Sequence, residues 1–272
     1  MRAAIIGAGG MGSWFIRYLR GRGAKVAVYD VDKRRAVAVS QATGSIVANS
    51  FEKAVKGSEI LLLATPISTI PVLVEKAMRI GFEGLLIEIS SIKHRVISQL
   101  KAFKGRPLSM HPLFGPGLAD VSKARCVLVP VRDLRDELRS ARKVFPDFKF
   151  EVMSKEEHDR SVAIAISLVY AINLAYISLL VESPIALKVE GTTGKIQRLL
   201  TLAVLANSPR LIVELIEENP FLEETLLKFN NVLSRKWDID SIKSLVKRAK
   251  DLLGLEPSKG YEWMYKALSK GI

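Results

Sequence analysis

A chain of 272 residues, 49% hydrophobic and 25% charged, has the balance of a folded globular protein and excludes a disordered one. Its single cysteine, Cys126, excludes an internal disulfide framework. The formal net charge of +13 favours anionic partners, but the basic residues are scattered, with no aromatic interleaving and no nucleic-acid motif. A small, multiply charged anion is therefore expected, and no nucleic acid.

The first half alternates strands and helices. RAAIIG reads as a short apolar strand, MGSWFIRYLRGRG as a helix closing on glycine, and KVAVYD as a second strand. A helix over 33–43, a short strand near residues 45–47 and a helix over 51–57 come next. EILLLAT and GLLIEIS follow as strands on either side of a helical segment over 69–81. RPLSM, RCVLVPV and FKFEVM supply three more strands. Strands and helices at this spacing predict a doubly wound, largely parallel sheet covered on both faces. Cys126, inside RCVLVPV, is expected to be buried and inert.

From about residue 153 the pattern turns helical, over 155–182, 193–206, 209–217, 220–234, 238–253 and 258–269. Pro184, Pro209, Pro220 and Pro257 stand where those helices begin or end. The expected architecture is an α/β domain over 1–153 and an all-α domain over 154–272. Residues 161–181 carry no charge, a run long enough to cross a membrane. Ser167, Tyr170, Asn173, Tyr176 and Ser178 interrupt it, so a buried central helix is expected, and no membrane. The N-terminus passes directly into a strand without a signal peptide, which points to the cytoplasm.

Gly7-Ala8-Gly9-Gly10-Met11-Gly12 matches G-x-G-x-x-G between a strand and a helix, the context that a dinucleotide site of Rossmann type demands. Gly7 permits the tight turn, Gly9 lets a pyrophosphate approach the backbone, and Gly12 lets the helix pack on the strand. Asp30 closes the second strand, where a carboxylate accepts hydrogen bonds from ribose hydroxyls and disfavours a 2′-phosphate. NAD is the expected cofactor, with NADP left open by Lys33, Arg34 and Arg35 just beyond. Thr65 and Ser90, at the ends of EILLLAT and GLLIEIS, are further candidate cofactor contacts. No metal site is expected.

A nicotinamide enzyme also needs a group that takes a proton while hydride moves. Only three histidines are available: His94, His111 and His158. His94, in SSIKHRV, reads as a solvated bystander on a helix. His158, in EEHDR, opens the long apolar helix, where a structural role is as good a reading as a functional one. His111, in MHPLFGPG, follows a strand at the sheet's carboxyl edge, where ligands bind in such folds. It is the candidate base, held by a rigid Pro/Gly loop. Ser90 and Ser91 reach the same edge, either as a helix N-cap or as groups that orient the imidazole.

In this order GAGGMG with YD, SSIK, HPLFGPG, EEHDR, GTTGKIQRLL and SPRLIVELIEENP resemble the prephenate dehydrogenase family over nearly the whole chain. The resemblance implies oxidative decarboxylation of prephenate to 4-hydroxyphenylpyruvate in tyrosine biosynthesis. It further implies that His111 draws the proton from the C4 hydroxyl, that Ser91 aligns that histidine, and that the helical domain makes a homodimer. Two positions depart from the family. Ala203 stands where members usually have an arginine that binds a substrate carboxylate, and Tyr170 replaces a common histidine. Arg198 and Lys195 are the expected substitutes, with Tyr170 and His158 as further substrate contacts. Arogenate is the alternative substrate. A two-domain hydroxyacid oxidoreductase is a weaker reading, because Arg198 occupies the asparagine position of its Lys-x-x-Asn signature. A non-catalytic dinucleotide sensor is weaker still.

Overall fold

The computed structural model describes residues 1–269. The last three residues of the expected helical domain lie outside that range. Eight strands form one sheet: β1 (Arg2–Ile6), β2 (Lys25–Tyr29), β3 (Ile46–Val47), β4 (Ile60–Leu63), β5 (Leu85–Glu88), β6 (Arg106–Pro112), β7 (Arg125–Leu128) and β8 (Lys149–Val152). Their spatial order is β3-β2-β1-β4-β5-β6-β7-β8. The order reverses between β1 and β4, which opens a crevice at the carboxyl ends of the strands. β1 to β6 are parallel, as are β7 and β8 to each other, but β7 runs antiparallel to β6. No α-helical crossover separates β6 from β7, and a short connection of that kind reverses the chain.

Helices α1 (Gly10–Gly21), α2 (Lys33–Thr43), α3 (Phe51–Val55), α4 (Ile70–Arg79), α5 (Val96–Ala102) and α6 (Leu134–Val144) flank the sheet. Successive strand residues face opposite sides: Ala3 and Ile5 join a core with Phe15, Leu19 and Phe145, while Ala4 and Ile6 join one with Phe51, Val74 and Phe103. Helix α6 is an addition to the sequence reading, and the helix expected around His94 begins only at Val96. LRDELRSARKV buries only Glu137, Ala141 and Val144, so its helical stripe is thin and masked by charge. Cys126 is fully buried, and burial pushes its thiol up to about 12.

Beyond β8, Ser154 and Glu157 form a capping box that starts α7 (Lys155–Val162). A π-helical turn over Ala163–Ser167 carries it into α8 (Leu168–Glu182). Helices α9 (Thr192–Leu205), α10 (Pro209–Glu217), α11 (Leu222–Leu233), α12 (Ile239–Leu253) and α13 (Pro257–Leu268) complete this region. The rod Lys155–Glu182 is long and apolar enough to cross a membrane, yet only 11% of its apolar window is buried in the chain. The expectation of a centrally buried helix is thus corrected. Among the described residues, α9, α10 and α11 meet the rod but cover only part of its apolar surface, so the rest faces outward.

Candidate active site

The glycine turn at the crevice has the stereochemistry that its sequence requires. Gly7 sits at φ +99°, and a Cβ there would lie 2.2 Å from the Ala64 carbonyl oxygen. A Cβ on Gly12 would lie 1.9 Å from the Gly7 oxygen, so helix and turn pack too closely for any side chain. At Gly9 the surface is open, with no atom within 4 Å of such a methyl group. Gly9 is also the N-cap of α1 and offers no capping side chain, which leaves the first amides of the helix to a ligand. Asp30 braces the turn: its two oxygens accept the amides of Ala8 at 2.7 Å and Asp32 at 2.8 Å. Thr65, just past β4, presents a buried hydroxyl that has no partner among the described residues. An unpaired buried donor beside an open, uncapped helix end fits a bound dinucleotide.

His111 lies within β6, paired with Val127, and not in the loop beyond it. The sheet fixes its backbone, and the loop 113–118 follows it. That loop is tied to the nucleotide turn, since Pro116 packs on Gly10 while Trp14 of α1 donates to the Leu118 carbonyl at 2.8 Å and lies tilted against Phe114. The His111 ring is 5% exposed. Burial, the Lys93 ammonium and the neighbouring His158 ring hold its pKa well below the ordinary imidazole value, so the ring is neutral at neutral pH.

His158 is the surprise of the site. It is 1% exposed, with one ring nitrogen 2.9 Å from Nδ1 of His111 and the other 2.8 Å from Oδ1 of Asp159. Both nitrogens are spent inside the protein, which corrects its reading as a substrate contact. Ser91 is half-buried after β5, and the group on Nδ1 of His111 is His158. Ser90 turns inward as well: its hydroxyl lies 2.6 Å from Glu88 and 2.9 Å from the Ile92 carbonyl. It neither caps a helix nor points its hydroxyl at a cofactor.

Beneath these residues lies a buried ion pair. Lys93 Nζ donates to Glu88 at 2.6 Å and to the Met110 carbonyl at 2.8 Å, with both side chains 0% exposed. Ser109 donates to the same carboxylate. The Lys93 amide donates to Asp159 at 2.9 Å and 3.2 Å, joining this floor to α7. Asn219 holds the other side of α7 through the Asp159 carbonyl at 3.0 Å.

The expected substitutes for the family arginine do not reach this cluster of contacts. Arg198 forks onto Glu190, with contacts of 2.9, 3.2 and 2.9 Å, because that acid precedes it at the start of α9. Lys195 is exposed beside the same carboxylate, and Ala203 is exposed on α9. Tyr170 is half-buried against Ile67, Ile92, Val162 and Leu215, and burial raises its phenol. His94 occupies an exposed turn ahead of α5. Glu214 of α10, absent from the sequence reading, is buried and accepts the Ile67 amide at 2.7 Å and Arg210 at 3.1 Å; Arg210 also donates to Ser68 at 2.8 Å. The loop after β4, which carries Thr65, is thereby fastened to the helical region. A carboxylate inside the apolar strand GLLIEIS was the available signal for Glu88; nothing local marks Glu214.

Residues 15–133 match the family model described as prephenate dehydrogenase, nucleotide-binding domain. The chain is 28% identical over 235 residues to a protein of Methanocaldococcus jannaschii described as "Probable arogenate/prephenate dehydrogenase". That alignment covers 83% of this chain and 51% of the relative, so the chain spans about half the length of the curated relative that it matches. Among solved structures it is similar to prephenate dehydrogenase from A. aeolicus in complex with hydroxyphenyl propionate and NAD+ (TM-score 0.73, 20% identity, 99% of this chain and 96% of that one). Arogenate dehydrogenase from Synechocystis gives a TM-score of 0.56 at 18% identity, covering 99% and 97%. Residues 15–133 are thus similar to the nucleotide-binding domain of prephenate dehydrogenases, and the fold of the chain is similar to that of solved prephenate and arogenate dehydrogenases.

Proposed function

We propose that this chain is an NAD-dependent dehydrogenase that oxidatively decarboxylates prephenate, with arogenate as the alternative substrate. One observation carries the reading: the loop that follows neutral His111 rests on Gly10 of the nucleotide turn, so base and cofactor site are parts of one surface. Gly7, Gly9, Gly10, Met11 and Gly12 would hold the pyrophosphate, Asp30 the ribose, and Thr65 would give its unpaired hydroxyl to the cofactor. The relative from A. aeolicus was solved with NAD+, and Asp30 disfavours a 2′-phosphate, which supports NAD over NADP.

Bound nicotinamide supplies the hydride acceptor. His111 takes the proton of the substrate's C4 hydroxyl as the C4–H bond breaks, and the ring carboxylate leaves as carbon dioxide. The electron pair of the broken C1–carboxylate bond completes the aromatic ring, and His111 returns the proton to the phenolate oxygen. Aromatisation drives the step, and the fixed imidazole supplies the geometry that proton removal requires. A second copy of the chain would cover the apolar rod Lys155–Glu182.

Incubation of the purified protein with NAD+ and either prephenate or arogenate, followed by absorbance of the reduced nicotinamide, tests this. Turnover of one of the two is expected. NAD+ binding without turnover of either would favour the sensor reading.

A further inference from the structure

The contacts around His111 fix more than its position. Asp159 is a carboxylate already accepting the Lys93 amide, and a carboxylate offers only lone pairs. The His158 nitrogen facing it at 2.8 Å, Nδ1, must therefore carry the ring hydrogen. Where that is its only ring hydrogen, His158 presents a lone pair at Nε2. The His111 nitrogen 2.9 Å away, Nδ1, must in turn be the donor. Each assignment forces the next, and what is left over is a lone pair on Nε2 of His111, the nitrogen not committed to this network. Any other arrangement of neutral rings sets lone pair against lone pair, or hydrogen against hydrogen, inside a fully buried contact.

We infer that His158 and Asp159 are positioning residues that lock His111 in its Nδ1–H tautomer and so make Nε2 the atom that receives the substrate proton. The inference rests on the reading of His111 as the base. It adds a directional relay built from three separate stretches of the chain: β6 supplies His111, α7 supplies His158 and Asp159, and the SSIK segment supplies the amide that anchors the carboxylate. Asn219 donates to the Asp159 backbone carbonyl, and the Lys93 amide holds the carboxylate itself. When His111 takes up the proton at Nε2, its Nδ1–H keeps its acceptor, and Asp159 stabilises the resulting imidazolium through His158. The same logic orders a buried acid, an imidazole and a nucleophile in hydrolytic triads, here with a second imidazole as the middle member.

Three histidines make the relay directly measurable. In protein labelled with 15N in the imidazole rings, long-range proton–nitrogen spectra at neutral pH distinguish the two tautomers of each ring, with His94→Gln identifying the exposed one. His111 and His158 are both expected to carry the hydrogen on Nδ1. His111 protonated on Nε2 in the resting protein would overturn the inference without any variant being made. His158→Phe removes the acceptor and is expected to mix the His111 tautomers and lower kcat about 100-fold, with NAD+ affinity by fluorescence titration retained. His158→Gln restores an amide oxygen as acceptor and is expected to recover most of the rate. Wild-type kcat in His158→Phe, or no recovery in His158→Gln while Phe and Gln variants both fold, would also overturn it. The tautomer spectrum needs no turnover, so it stands apart from the base reading itself, which fails separately if His111→Asn keeps full activity.

Discussion

Pro116 rests on Gly10 so closely that a methyl group added to the glycine would lie 3.0 Å from Pro116 Cγ and 3.2 Å from its Cβ. The loop that follows the candidate base and the turn that would hold the pyrophosphate are therefore one packed unit. The three neighbouring glycines should respond differently to the same substitution. Gly9→Ala meets nothing in the protein, so the fold should be unchanged while NAD+ binds at least about tenfold more weakly. Gly10→Ala should push the Pro116 loop outward and lower kcat with only a small change in Tm. Gly12→Ala would drive a methyl into the Gly7 carbonyl and should cost about 1–3 kcal/mol of stability. Fluorescence titration with NAD+ and thermal unfolding of the three variants check this ordering.

The depressed pKa of His111 sets the direction of the pH response. Burial first, then the Lys93 charge and the His158 ring, disfavour the imidazolium. A base that must be neutral loses activity only as pH falls through its folded pKa, so kcat/KM should stay flat down to well below about 6.5. In the unfolded chain the same ring protonates near about 6.5, so below that pH the unfolded state binds more protons and stability drops as pH falls. His111→Asn should abolish turnover, leave NAD+ affinity nearly intact and flatten that part of the acid-side loss of Tm. An acid limb of kcat/KM near 7 would contradict the assignment.

The Glu88–Lys93 pair under the site tests stability more than chemistry. Removing one member of a fully buried pair strands the other charge, at a cost of about 3–5 kcal/mol. Lys93→Met should therefore show a strongly lowered urea midpoint. The double variant Glu88→Leu with Lys93→Met removes both charges and should recover a large share of that loss. Equal loss in the single and the double variant would mean that the polar bonds to Ser90, Ser109 and the Met110 carbonyl matter more than the charge balance.

These cases also show where the sequence speaks and where it is silent. β1, β4 and β5 are legible because strands buried on both faces read as unbroken apolar runs, and the glycine turn because its spacing follows from sterics. His111 is placed at a strand edge by its sequence, although Pro112 and the glycines after it suggest a loop there, whereas β6 runs through Pro112. The relay was not legible. His111 and His158 are 47 residues apart, and nothing local to EEHDR says that its histidine turns inward. Arg198 is the opposite case: it reads as a free cation on its own helix, but a nearby acid, Glu190, takes it up.

The apolar surface of the helical region makes the last prediction. Leu179 is 67% and Val181 73% exposed at the end of the uncharged stretch 161–181 of the rod, and Leu252, Leu253 and Trp263 add to the same excess. Exposed apolar surface on this scale marks an interface. A second copy covering it would bury what a single chain leaves in water, and it would leave the nucleotide turn, built wholly from the sheet half, untouched. Sedimentation should therefore give twice the chain mass, and Leu179→Glu combined with Val181→Glu should shift it toward one chain while NAD+ binding persists. The alternative cover is a bilayer, since the rod also has the length to span one. Flotation with anionic lipid vesicles separates the two: the wild-type protein should stay in the aqueous fraction, and co-flotation that the paired glutamates abolish would replace the dimer with a membrane surface.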